Sequence, residues 1–136
     1  MKLILTILIF LSLAIVNEAN AQKIDIENIY GVWYRSYEEE KGGIVAYRPK
    51  GYKFPPARAR EKIEILKDGQ IIESRVSPSD AYFKIKGLFS YCEKHNELIL
   101  TFNDQGERKE RIYRIIKLDK SIFKIKTVVS EKIIQK

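Results

Sequence analysis

From Phe83 to Tyr91 every second residue is apolar or glycine (Phe83, Ile85, Gly87, Phe89, Tyr91), while Lys84 and Lys86 take the other parity. Successive side chains of a strand point to opposite faces of its sheet, so this stretch suits a strand with one buried and one wet face. The same alternation recurs at Ile63 and Ile65, at Leu98, Leu100 and Phe102, and at Phe123, Ile125 and Thr127 set against Lys124 and Lys126. Turn formers punctuate the runs: Glu38 to Gly43, Asp68-Gly69, Ser77 to Asp80, Asn103 to Gly106 and Asp119-Lys120. The pattern predicts an all-β chain of about eight strands in meander order. Antiparallel strands with one apolar face each lose their exposed edges by closing into an up-and-down β-barrel, and an open sandwich is the alternative that periodicity leaves standing. Gly87, on the apolar parity, reads as a bend that helps the sheet curve.

The lone tryptophan fixes one end of such a barrel. Trp33 stands two residues after Gly31, where a lead-in from Gln22 to Tyr30 gives way to the first strand. An aromatic ring buries roughly 150 to 250 Å², enough to plug a small barrel. Ile24, Ile26 and Ile29 suit the lead-in to covering that end. Asp68-Gly69 predicts a tight hairpin with positive φ at Gly69.

Lys2, the apolar run Leu3–Val16 and the small residues Ala19 and Ala21 describe a secretory signal peptide over 1–21, with cleavage before Gln22. The run is shorter than the roughly 20 residues a membrane span needs, so no transmembrane segment is expected in the mature chain. Residues 22–136 suffice for a single domain in a secreted or periplasmic setting. Cys92 is the only cysteine, so no internal disulfide forms, and a small buried hydrophobe is its expected role. The formal net charge is +7, without a long basic block. That charge favours anionic partners such as phosphates, lipid headgroups or acidic polysaccharide, while an exported chain with no reading module argues against nucleic acid.

Between Arg48 and Arg60 the strand rhythm breaks, with three of the four prolines and Gly51 in the interval. Prolines stiffen a loop, and a rigid loop without regular structure is a natural rim for a site. Tyr47, Arg48, Tyr52, Phe54, Arg58 and Arg60 are therefore the candidate ligand-binding residues: guanidinium groups pair with carboxylate or phosphate, and the rings hold an apolar tail. The competing reading staples these arginines to the barrel through Asp80, Glu61, Glu64 or backbone carbonyls. Catalytic signals are weak. His95 stands in a turn, and Ser90 or Cys92 beside it lacks a nucleophile turn or oxyanion signature. Glu38-Glu39-Glu40 reads as a solvated turn and not as a spaced acid pair. No metal-ligand spacing and no cofactor motif occurs, so no metal, no cofactor and no enzymatic activity are expected.

Gly31-Val32-Trp33, at the start of the first strand, resembles the G-x-W signature of the lipocalin superfamily. Tyr47-Arg48-Pro49, Tyr52-Lys53-Phe54-Pro55-Pro56 with Arg58 and Arg60, Asp68-Gly69 and Asp80 are similar to the pattern of small secreted bacterial lipocalin-like proteins. The resemblance implies a lipocalin-like barrel over 22–136, with structural roles for Gly31, Trp33, Asp68, Gly69 and Asp80. It also implies a cation packed across the tryptophan from near the last strand, where this chain offers only Arg114 or Lys124. The short chain implies a small or filled cavity. The expected function is an exported, monomeric binding module for a small apolar, amphipathic or anionic ligand; the alternative is an envelope structural or interaction barrel with a filled core and no small ligand.

Overall fold

The computed structural model describes residues 23–57, 59–79 and 81–135. The leader expected over 1–21, together with Arg58 and Asp80, lies outside the described residues. The strands are β1 (Gly31–Arg35), β2 (Ile44–Pro49), β3 (Lys62–Ile65), β4 (Gln70–Val76), β5 (Tyr82–Cys92), β6 (Glu97–Asp104), β7 (Glu107–Leu118) and β8 (Phe123–Ile133). They form a closed barrel in which every neighbouring pair is antiparallel. The eight-stranded antiparallel barrel read from the alternation is what the chain forms.

Its strand order departs from a strict meander in one place. Strands β3 to β8 follow in sequence, but β1 lies between β2 and β3 and pairs with both. Trp33 is thus level with Pro49 on one side and with Ile63 on the other. Because β2 and β3 both run antiparallel to β1, they are parallel to each other, and the chain must return the length of the barrel between them. A crossover of this kind takes a dozen or so residues. Residues 50–61, the proline-rich segment, are that connection.

One end of the barrel is packed solid. Trp33, Ile63, Ile65, Ile71, Leu98, Leu100, Ile115, Leu118, Phe123 and Ile125 form its apolar cluster, and the 3-10 turn Ile26–Ile29 delivers Ile29 to it. Asp25 caps that turn through its side chain, which accepts from the Glu27 amide at 3.1 Å. The Trp33 indole Nε1 donates to the Ile29 carbonyl at 2.8 Å, tying strand to lid. Neither candidate cation packs across the tryptophan: Arg114 is exposed and bonds Glu97 at 3.0 Å, and Lys124 has the outward parity between the buried Phe123 and Ile125. The Phe123 ring takes the place instead, 5.5 Å from the indole and 5.7 Å from the Tyr47 ring on its other side.

The turns show why the strands end where they do. The Gly69 amide donates to the Leu66 carbonyl at 3.1 Å, and Gly69 itself has φ +90°. Lys67-Asp68 are therefore the central pair and Gly69 is the left-handed residue after them, a three-residue loop in place of the two-residue turn read from the sequence. The Asp68 carboxylate accepts from the Gln70 amide at 3.0 Å. Gly87 answers to a different constraint, since a Cβ there would stand 2.5 Å from the Thr101 carbonyl oxygen of β6. The missing side chain lets β5 and β6 approach at the bend.

Two substitutions test this account. Trp33→Ala is expected to cost about 3 to 5 kcal/mol in urea unfolding, as for large aromatics in cores. Gly87→Ala is expected to cost about 1 to 3 kcal/mol by overpacking. An unchanged midpoint for either would contradict the contact assigned to it.

Candidate functional site

At the end opposite Trp33 the apolar parity stops being apolar. Arg35 follows Trp33 on β1, Glu73 and Arg75 follow Ile71 on β4, and Arg111 and Tyr113 precede Ile115 on β7. Each lies two or four residues from a buried core residue, so each points to the same interior face. Arg35, Tyr47, Glu61, Glu73, Arg75 and Tyr113, with Val45, Ile63 and Ile125 toward the core, surround a cup of about 240 Å³.

Ion pairs organise the cup. Glu73 accepts from Arg75 Nη2 at 2.8 Å and from Arg111 Nη1 at 3.0 Å, so two guanidinium groups share one carboxylate. Arg111 is only 6% exposed, with its guanidinium 4.2 Å from the Phe102 ring centre. On β1, two strands from β4, Arg35 donates to Glu40 at 2.6 Å and to Glu61 at 2.8 Å, and these carboxylates hold its guanidinium firmly charged. Burial raises the Tyr47 phenol well above its ordinary value, and Glu73 adds to the effect. Tyr113 is raised for the same two reasons. Both phenols therefore stay protonated and can donate a hydrogen bond into the cup throughout the neutral range.

The loop residues are placed differently. Tyr47 faces the cup, but Arg48 follows it on β2 and points to the outer face, where Nε donates to Glu39 at 2.8 Å and Nη1 to the Ser121 carbonyl at 3.0 Å. Tyr52 and Phe54 pack edge to face at 4.8 Å, with Phe54 against Tyr34 at 6.4 Å. Arg48 stacks over Tyr52 at 4.8 Å and Arg60 over Phe54 at 4.2 Å. Arg60 also donates to Glu38 at 3.0 Å, to the Arg35 carbonyl at 3.1 Å and to the Pro55 carbonyl at 2.8 Å. The crossover is thus fastened to the outside of β1, and of the five candidates among the described residues only Tyr47 reaches the cup; Arg58 lies outside the described residues.

The acidic triplet, read as a solvated turn, does the fastening. Tyr37–Glu39 is a short 3-10 turn on the outer side of β2, and Glu38, Glu39 and Glu40 each bond a different arginine: Arg60, Arg48 and Arg35. Consecutive residues in a tight turn fan their side chains apart, which lets three carboxylates reach three partners. His95 is exposed in the 3-10 turn Glu93–His95. Among the described residues no group of three or more His, Cys, Asp or Glu converges as a metal cradle would. No described helix is long and apolar enough to cross a membrane.

The inward charges were open to detection from the sequence, because Glu73, Arg75 and Arg111 interrupt an apolar parity. Pairing them across the barrel needed the closure of β1 onto β2 and β3, which no local pattern reports.

Acid titration tests the fastening. Hydrogen bonds from Arg48 hold the Glu39 carboxyl down to about 2, and Arg60 lowers Glu38. A carboxyl depressed on folding stabilises the fold above its unfolded value of about 4.3 and loses that contribution as pH falls toward its folded value. Thermal midpoints are expected to fall between about pH 4.5 and 2, with a shallower fall for Glu39→Gln. Equal slopes for the two proteins would remove Glu39 from the account.

Comparison with known proteins adds no identity: no protein-family model, no curated protein and no solved structure matches the chain.

Proposed function

We propose that this chain is a non-catalytic, lipocalin-like binding module whose cup holds a compact amphipathic ligand with an anionic group. The observation that carries the reading is the lining itself: the Arg35 and Arg75 guanidinium groups and the Tyr47 and Tyr113 phenols stand around the opening, while Val45, Ile63 and Ile125 supply apolar wall. A polar ring above an apolar floor orients a molecule with one charged and one greasy end. Guanidinium groups shared among glutamates still have unused N–H donors for a carboxylate or phosphate.

Size narrows the class. A cup of about 240 Å³ lies below the usual 300 to 1,000 Å³ of drug-sized pockets. A cup of that size suits a short-chain or aromatic acid better than a long acyl chain. The alternative, an interaction barrel with no small ligand, draws support from the packed Trp33 end, where Phe123 is 0% exposed. The exported setting and the lipocalin-like resemblance belong to the same proposal: a Trp33 plug behind a short 3-10 lead-in accords with them.

Calorimetric titration with benzoate, hexanoate and palmitate decides between the readings. Benzoate and hexanoate are expected to bind and palmitate to fail. Tyr47→Phe with Tyr113→Phe should weaken binding by about tenfold, the loss of one or two hydrogen bonds of about 1 kcal/mol each. If none of the three acids binds, and native mass spectrometry of the purified chain finds no retained small molecule, the interaction barrel is the better reading.

A further inference from the structure

The outer face of β7 and β8 carries an arrangement that folding alone would disfavour. Lys117 is level with Lys124, and Arg114 with Lys126, in the antiparallel register. All four have the outward parity, for Ile115, Leu118, Phe123 and Ile125 beside them are buried in the core. Adjacent strands lie roughly 5 Å apart and alternate residues roughly 7 Å, so four cations crowd a small rectangle of sheet. Like charges directly opposite one another destabilise a sheet.

Local carboxylates do not neutralise the group. Arg114 pairs with Glu97 at 3.0 Å while staying half exposed. Asp119, close enough to Lys117 for the two charges to interact, accepts from the Ser121 and Ile122 amides, and Glu39, which feels Lys124, is held by Arg48. Among the described residues Lys117, Lys124 and Lys126 have no ion pair within 4.0 Å.

Two bulges complete the arrangement. The ladder shifts between Ile115 and Lys117, which gives Ile116 no partner, and between Ile112 and Tyr113, where Val128 is the unpaired residue. A bulge re-aims a side chain, and here Ile116 is 41% and Val128 45% exposed. An exposed branched apolar side chain therefore stands between the two rows of cations, at Ile116, and another just beyond them, at Val128.

We infer that this face docks on an anionic lipid bilayer surface, with Arg114, Lys117, Lys124 and Lys126 over the headgroups and Ile116 and Val128 entering the interface. Clustered cations alone would suit any polyanion. The two apolar side chains favour the bilayer, since only there does burial of apolar area add to the electrostatic attraction. The inference is independent of the cup, which opens at the barrel end and not on this wall.

Co-sedimentation of the purified chain with vesicles tests it. The chain is expected to bind vesicles of phosphatidylcholine mixed with phosphatidylglycerol, to ignore phosphatidylcholine alone, and to release as salt rises. Replacing Lys117, Lys124 and Lys126 together by Gln should lower partitioning by about a hundredfold, at about fivefold per cation, while the thermal midpoint holds or rises because like-charge repulsion is relieved. If that variant does not fold, Lys126→Gln alone carries the test at about fivefold. Ile116→Ser with Val128→Ser should weaken vesicle binding without changing charge. Wild-type partitioning by the lysine variants overturns the inference. So does equal binding to soluble dextran sulfate together with no effect of the serine pair, an outcome that would make the face a general polyanion site.

Discussion

The barrel depends on one five-residue strand that pairs with a neighbour on each side. Strand β1 is the shared neighbour of β2 and β3, and without it the remaining strands would form an open sheet with two free edges. Its placement decides the rest. It sets β2 and β3 parallel, forces the chain to travel back along the outside, and brings Trp33 against Phe123 at one end while Arg35 meets Glu61 at the other. One short strand thus supplies both the apolar plug and one wall of the cup.

The crossover that this topology demands explains residues that look functional when read locally. Arginines beside aromatic rings in a proline-rich loop have the composition of a binding rim, but here they satisfy a mechanical need. A return segment lying on a sheet buries little apolar area of its own, so it is held by Tyr52 and Phe54 packing and by arginines bonded to Glu38 and Glu39. The cup is built from residues spread over β1, β2, β3, β4, β7 and β8, to which the crossover adds only Glu61 at its end, with carboxylates that hold guanidinium groups in fixed directions. Exposed ion pairs contribute little to stability, whereas a half-buried network that would be costly to leave unpaired keeps its members in place.

Period-two alternation made the strands legible, and most of their bounds with them, because inward and outward faces differ in polarity along β5, β6 and β8. Gly69 was legible for its positive φ, although the loop around it is one residue longer than the dipeptide implies. The position of β1 was not, since β1 to β2 is a hairpin in either topology and a five-residue strand gives no sign of which further neighbour it takes. The cup suffered from the same blindness. A charge on an apolar parity marks a polar interior, but its partner across the barrel is fixed by closure and not by spacing. The proline-rich loop misled for the opposite reason, as its residue types suit anchoring and recognition equally well.

Closure also has a consequence in time. The seam joins β2 to β8, so Ile44 to Tyr47 find their second partner only in Phe123 to Lys126, near the far end of the chain. Contacts so distant in sequence form late, because the loop entropy must be surrendered before they reward it. While the chain is being synthesised, Trp33 has no Phe123 to pack against, and the first hairpin cannot complete a core until β8 has left the ribosome. A nascent chain of this topology stays open from its first strand to its last.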